Sequence, residues 1–279
     1  MLEIYEILDR FELLYPNNNK LSDLRRAYID RDLNSIFRIV NDHNKEDLRK
    51  LILEDNIWKL WPLLDQCVTT QFVFAFKSFL VNNTKYDKDC FSRGQLRSKL
   101  WLVSELKKLN VDLGTIFLCA GWYGTLAVML FENNFKIKKI RSFDLDSTTV
   151  NIADTFNKLW VMQDWKYKSV KDDILNINYS GYNYSTVRSN GTICELYDVP
   201  DTVINTSCEH IENFKEWYNK IPSGKLIILQ GNNYFEIPEH VNCSKDIEEF
   251  SNKSPMATVL YEGALELPKY TRFMKIGFR

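Results

Sequence analysis

The chain has 279 residues, of which 45% are hydrophobic and 14% aromatic, and its formal net charge is -1 at pH 7. That size suits one large domain, or one domain with a helical extension, and the charge argues against a protein built mainly to neutralise phosphates, leaving room only for a local basic face. Six scattered cysteines without a C-x-x-C pair, and only three histidines, argue against a disulfide framework and a structural zinc site, so no metal ligands are assigned.

The beginning, "MLEIYEILDRFELLY", lacks the basic start, apolar run and small-residue cleavage site of a signal peptide. The most apolar run, "QFVFAFKSFLV" (71–81), is too short to span a bilayer and contains Lys77. The expectation is a soluble, cytoplasmic protein with no membrane partner. Residues 1–90 read as a helical region: "LSDLRRAYIDRDLNSIFRIV" and "KEDLRKLILEDNIWKLWPLL" place apolar residues three and four apart. Asp32 and Asn44 stand where helix caps help, and "YPNNNK" (15–20) marks a loop. Nothing in this region carries chemistry, and a helical packing region is the expectation.

The pattern changes at about residue 91. "SRGQLRSKLWLVSELKKLN" (92–110) reads as a helix, and strands then alternate with helices. The strands expected are "TIFLC" (115–119), "KIRSFDL" (139–145), "KYKSV" (166–170), "TVINT" (202–206) and "KLIILQ" (225–230); the helices are 124–133, 147–160 and 209–220. This alternation predicts an α/β domain over 91–279 with a parallel sheet covered on both faces. The last two segments, "MATVLYEGALEL" and "YTRFMKIGFR", follow each other across a short turn with no helix between, which predicts a terminal antiparallel hairpin. Asn190-Gly191-Thr192 matches the N-x-S/T pattern and reads as chance in an Asn-rich chain.

Ligands of open α/β sheets bind beyond the carboxyl ends of the strands. At the first such end, "LCAGWYG", Gly121 and Gly124 fit the last two positions of G-x-G-x-x-G, with Cys119 at the first. The alternative is that Gly124 only permits helix–strand packing. The second end carries Asp144 and Asp146. Asp144 lies 23 residues after Gly121, near the offset of a carboxylate that accepts both ribose hydroxyls, and Asp146 suits the cap of the next helix. The third end, "KDDILNI", offers Asp172 or Asp173 to an exocyclic amine and the amide of Ile174 to a ring nitrogen, a plain turn being the alternative. The fourth, "NTSCEHI", offers Asn205, Ser207, Glu209 and His210. His210 is a candidate general base or a packed core residue, and Thr206-x-x-Glu209 fits a capping box. After the fifth strand, "QGNNYFEIPEHVNC" (230–243) supplies Asn232, Asn233, Tyr234 and His240 as an acceptor rim, with Tyr234 and His240 as alternative bases.

The ordered set "LCAGWYG", "RSFDLD", "KDDIL", "DTVINTSCEHI" and "SGKLIILQ", followed by the hairpin, resembles the class I S-adenosylmethionine-dependent methyltransferases over about residues 91–279. It is also similar to uncharacterised methyltransferase-like proteins of phages and bacteria. The resemblance implies a Rossmann-like seven-stranded sheet with an antiparallel last strand, and S-adenosyl-L-methionine as cofactor. It places the methionine part at Cys119, Ala120, Gly121, Trp122, Tyr123 and Gly124, ribose at Asp144 with Leu145 beside it, adenine at Asp172 or Asp173 with Ile174, and further contacts at Asn205 and Ser207. The family turn has glycine where Cys119 and Tyr123 stand here. Trp122 and Tyr123 either lie against the sulfonium or acceptor or pack under the N-terminal region. Lys99, on one helix face with Gln95, either pairs with the cofactor carboxylate or belongs to a solvated basic face.

The implied activity is in-line methyl transfer. The Asn/Asp-Pro-Pro-aromatic and Pro-Cys motifs of DNA methyltransferases are absent, which favours a small-molecule acceptor; a nucleic-acid or protein acceptor stays open. Aminocarboxypropyl transfer, a cofactor-binding regulatory module and an NAD(P)-dependent oxidoreductase are the alternatives. Asp144→Ala is expected to weaken cofactor binding with little change in melting temperature.

Overall fold

A computed structural model describes residues 4–40, 45–54, 61–68, 73, 77, 86–188 and 190–279. The cap proposed at Asn44 and most of the run 71–81 lie outside the described residues. The chain divides into two compact units, Met1–Leu100 and Trp101–Arg279. The division falls inside a helix, ten residues beyond the point where the sequence pattern changes.

The first unit is helical: α1 (Ile4–Leu14), α2 (Asn19–Ile29), α3 (Leu33–Val40), α4 (Lys45–Glu54), α5 (Trp61–Cys67) and the first half of α6 (Arg93–Leu109). Each of α1, α2 and α3 buries one stripe, for example Ile4, Ile7, Leu8 and Phe11 on α1, as apolar spacings of three and four require. Asp32 caps α3, accepting from the amides of Asn34 (3.1 Å) and Ser35 (3.2 Å). No helix among the described residues is long and apolar enough to cross a membrane.

The second unit is built on a seven-stranded sheet. Its strands are β1 (Gly114–Cys119), β2 (Ile137–Asp144), β3 (Tyr167–Lys171), β6 (Thr202–Asn205), β7 (Leu226–Asn232), β8 (Thr258–Glu266) and β9 (Thr271–Phe278), in the order β3-β2-β1-β6-β7-β9-β8. The pairs among β1, β2, β3, β6 and β7 are parallel; β9 is antiparallel to both β7 and β8. The α/β expectation holds, and so does the terminal hairpin. Helices α7 (Thr125–Glu132), α8 (Ser147–Phe156), α9 (Lys158–Val161), α10 (Phe214–Lys220) and α11 (Ile247–Lys253) complete the unit.

All six residues of β1 and all seven of β7 are buried, the signature of strands covered on both faces. One core joins Phe117, Phe143, Val203, Ile227 and Phe273 from five strands with Trp217 of α10 and Phe250 of α11. Those strand positions share one face because side chains alternate along a strand.

Two features depart from the expectations. The helix placed at 209–220 is a single 3-10 turn, Cys208–His210, followed by α10. Between β3 and β6 the chain inserts an antiparallel hairpin, β4 (Tyr182–Val187) with β5 (Ile193–Asp198), as a separate two-stranded sheet. The sequence signal for it is Asn190-Gly191, a strong hairpin turn pair between alternating segments, which the N-x-S/T reading obscured.

Candidate functional site

The parallel register sets the strand ends side by side. Cys119 pairs with Phe143 on one flank and Asn205 on the other, Asp144 pairs with Lys171, and Asn205 pairs with Leu229. The turns that leave β1, β2, β3, β6 and β7 therefore share one edge of the sheet.

The turn after β1 is strained. Ala120 (φ 50°), Trp122 (φ 49°) and Gly124 (φ 67°) are all left-handed, and of the three only glycine adopts that conformation without a Cβ clash. Chain contacts hold it: the Gly121 amide donates to Phe143 O (3.2 Å), the Gly124 amide to Gly121 O (2.9 Å), and the Trp122 amide to Asp144 Oδ2 (2.9 Å). The two glycines face the protein. A Cβ on Gly121 would lie 2.0 Å from Ser142 Oγ, and one on Gly124 would lie 2.5 Å from both Asn157 Nδ2 and Tyr167 Oη. Packing, the alternative weighed for Gly124, accounts for both. The Cys119 side chain is fully buried in the core, with its thiol 3.4 Å from Tyr179 Oη, and burial raises its pKa to about 12. It therefore offers the edge only backbone. The Trp122 and Tyr123 rings stack on each other, centroids 5.0 Å apart.

Asp144 binds backbone through both oxygens: Oδ2 accepts from Trp122 and Oδ1 from the Asp146 amide (3.1 Å). Its removal would release two backbone amides, where the sequence alone leads to little change in melting temperature. Asp146 caps α8 through the Thr148 amide (2.8 Å), as its spacing predicts. Leu145, between the two acids, is 65% exposed.

After β3, Asp172 is engaged at both oxygens, Oδ1 by the Asp173 amide (2.8 Å) and Oδ2 by the Tyr182 hydroxyl of the inserted hairpin. Asp173 accepts the Leu175 amide at Oδ1 (2.9 Å). A buried relay fixes this turn from below: Trp217 Nε1 donates to Tyr179 Oη (2.7 Å), and that hydroxyl donates to Ile174 O (2.9 Å). Burial raises the Tyr179 pKa well above the ordinary phenol value, which keeps the hydroxyl protonated as the relay requires.

At the end of β6, Asn205 is fully buried. Its Oδ1 accepts the Ser207 amide (2.8 Å), while its Nδ2 is a buried donor without a partner. Glu209 is not a capping-box residue. Its carboxylate is 3% exposed, and its Oε1 accepts from Arg272 Nη1 (2.7 Å) and Asn232 Nδ2 (2.7 Å). Burial works against the charge of Arg272, but Glu209, with Tyr270 and Cys208 beside it, holds the guanidinium pKa above its usual value.

His210 is exposed rather than packed in the core. Its Nδ1 lies 3.1 Å from Glu239 O, and His240 Nδ1 lies 2.7 Å from Tyr234 O. The two rings meet edge to face at 4.6 Å. Desolvation of the His210 ring is the largest cause that pushes its pKa below the ordinary imidazole value; Glu209 opposes the shift and His240 adds to it. Tyr234 stacks on Tyr270 at 5.4 Å. The structure thus gathers Glu209, His210, His240, Asn232 and Tyr234 at the β6 and β7 ends. Nothing in the spacing of Glu209 and Arg272 could have revealed their pairing. Lys99 belongs to the first unit, where it is 7% exposed with its ammonium on Gln95 Oε1 (2.5 Å). That burial rules out the solvated basic face, and the site described here is built from the second unit alone.

No protein-family model and no curated protein sequence matches the chain. Among solved structures, it is similar to the N-methyltransferase NodS of Bradyrhizobium japonicum WM9 in complex with S-adenosyl-L-homocysteine, at 8% identity and TM-score 0.49 over 74% of this chain and 97% of that one. It is similar to magnesium protoporphyrin IX methyltransferase (ChlM) of Synechocystis PCC 6803, at 10% identity and TM-score 0.45 over 75% and 92% of the two chains. A methyltransferase from Clostridium acetobutylicum ATCC 824 matches at 13% identity and TM-score 0.42 over 73% and 97%. The strand order is the direct observation of the fold. With five parallel strands followed by a hairpin whose last strand inserts antiparallel beside β7, the second unit has the Rossmann-like seven-stranded sheet with an antiparallel last strand that the sequence leads one to expect.

Proposed function

We propose that the chain binds S-adenosyl-L-methionine along the β1–β3 edge and transfers its methyl group to a small-molecule acceptor at the β6–β7 edge. The observation that carries this reading is the bond from the Trp122 amide to Asp144, which ties a left-handed turn to the acid at the next strand end. Backbone held in sparsely populated conformations clusters at ligand sites.

The residues present fit the cofactor. A carboxylate has about four acceptor positions, so Asp144, with one amide on each oxygen, keeps capacity for two ribose hydroxyls. Exposed Leu145 offers an apolar surface beside it. Asp172 carries a donor on each oxygen and Asp173 accepts the Leu175 amide at Oδ1, so the adenine amine is assigned to Asp173 as the acid with more acceptor capacity left, with the Ile174 turn held by Tyr179. The Asn205 Nδ2 donor lacks a partner among the described residues. The cofactor supplies a methyl carbon activated by positive sulfur. The protein's task is to orient donor and acceptor in line and to accept a proton where the acceptor carries one. A neutral His210 with Nδ1–H on a carbonyl presents Nε2 as that acceptor.

The test is calorimetric titration with S-adenosylhomocysteine. One site per chain is expected. Asp144→Ala removes a charged acceptor whose hydrogen bonds are worth about 1.5–3 kcal/mol each, so affinity should fall at least about tenfold. Because Asp144 also holds two backbone amides, the melting temperature of the free variant should fall too. Saturable NAD binding with no adenosylhomocysteine signal would overturn the reading.

A further inference from the structure

We propose that Glu209, His210 and His240 form a binding site for a divalent first-row transition cation at the β6–β7 edge. One carboxylate oxygen of Glu209 and one ring nitrogen from each histidine lie within 4.8 Å of one another. Three further observations point to a ligand.

The first is Glu209 Oε2. It is buried without a hydrogen-bond partner among the described residues, in a residue 3% exposed, while Oε1 is held by Arg272 and Asn232. An unsatisfied buried carboxylate oxygen is costly, and a cation satisfies it.

The second is the state of the histidines. A backbone carbonyl can only accept, so the contacts of His210 Nδ1 with Glu239 O and of His240 Nδ1 with Tyr234 O place a proton on each Nδ1. In the neutral ring the Nε2 lone pair is then the free donor. Metal-bound histidines are oriented in this way, by a second-shell carbonyl on the other ring nitrogen. Here both rings have it.

The third is access. His210 is exposed and His240 half-buried, so the three donors leave coordination positions open to solvent, as in catalytic rather than structural sites. Bonds of about 2.0–2.2 Å draw ligands closer than 4.8 Å, and the exposed His210 ring supplies that movement.

Two imidazoles with one carboxylate favour Zn²⁺, Ni²⁺ or Fe²⁺ over Mg²⁺ or Ca²⁺. Arg272 opposes a second positive charge, so affinity depends on the imidazoles. The sequence reading missed the site because the rule applied was local spacing: His240 lies 30 residues beyond His210, and only the return of the β7 loop brings them together. One lone pair cannot serve both roles, so the proton-accepting role proposed for His210 applies to the cation-free protein. On the function proposed above, the open positions would hold an oxygen or nitrogen of the acceptor; the binding site itself does not depend on that reading.

The experiment uses the full chain, stripped with EDTA and dialysed, then titrated calorimetrically with Zn²⁺, Mn²⁺ and Mg²⁺ chlorides without cofactor. One Zn²⁺ per chain is expected, with Mg²⁺ weaker by at least about a hundredfold. His210→Ala and His240→Ala should each weaken Zn²⁺ by at least about tenfold, and the double variant should abolish the site. His210 is the exposed end of the Cys208–His210 turn and His240 lies in the loop after β7, and unchanged circular dichroism with unchanged adenosylhomocysteine affinity in these variants separates loss of the cation from loss of fold or cofactor. Absence of saturable binding in the wild type, or equal affinity in the double variant, overturns the site and leaves the cofactor assignment standing.

Discussion

At Gly121 and Gly124 the glycines serve the protein's own packing before any ligand. Gly121 is a steric requirement: Ser142 Oγ occupies the space a Cβ needs, at 2.0 Å. Gly121→Ala should therefore cost about 1–3 kcal/mol, the usual range for overpacking, read as a lower urea midpoint at constant slope. Adding Ser142→Ala removes the clashing oxygen and should restore part of the loss; a double variant no better than the single would place the obstruction elsewhere. The sequence located this turn but not its contacts, because Ser142 and Tyr167 arrive from strands that follow it. Nor did it show that Ala120 and Trp122 adopt conformations that glycine enters more easily. Left-handed non-glycine residues cost of order 1–3 kcal/mol each, and a pattern search for glycine passes over them.

The strands most legible in the sequence were those buried on both faces. Runs such as "TIFLC" and "KLIILQ" name their environment directly. The β4–β5 hairpin was missed although its strands alternate buried and exposed residues, because its turn pair also reads as an N-x-S/T match and its anchors are polar. Arg141, fully buried on β2, donates through Nε to Asp198 Oδ2 (2.7 Å), and Tyr184 Oη donates to the same oxygen (2.7 Å). The guanidinium also lies 5.6 Å from the Tyr184 ring centroid. Asp198 also pairs with Lys139 at 3.6 Å, so its carboxylate pins the hairpin to β2, and the hairpin in turn carries Tyr182 to Asp172. Asp198→Ala leaves the Arg141 charge buried and unpaired, which typically costs about 3–5 kcal/mol. Tyr184→Phe removes one bond to a charged acceptor and should cost about 1.5 kcal/mol. Chemical denaturation of the two variants should give that order; equal losses would mean that the tyrosine, not the ion pair, anchors the element.

At the scale of the whole molecule, the candidate site draws only on the second unit, while the boundary between the units runs through α6 (Arg93–Leu109). A helix cut at residue 101 loses its first eight residues and their intrahelical bonds, whereas a fragment beginning at Ser92 keeps α6 whole. Such a fragment also retains Trp101, whose Nε1 donates to Tyr261 Oη at 3.1 Å and whose ring meets that of Tyr261 edge to face. This contact ties the helix to β8 within the second unit. The fragment 92–279 should therefore fold cooperatively and bind S-adenosylhomocysteine within about threefold of the full chain, a difference of roughly 0.6 kcal/mol. Circular dichroism, thermal melting and calorimetry on the two proteins decide it. A folded fragment that fails to bind would assign part of the cofactor site to residues 1–91, and an unfolded one would make the helical unit a requirement for the sheet.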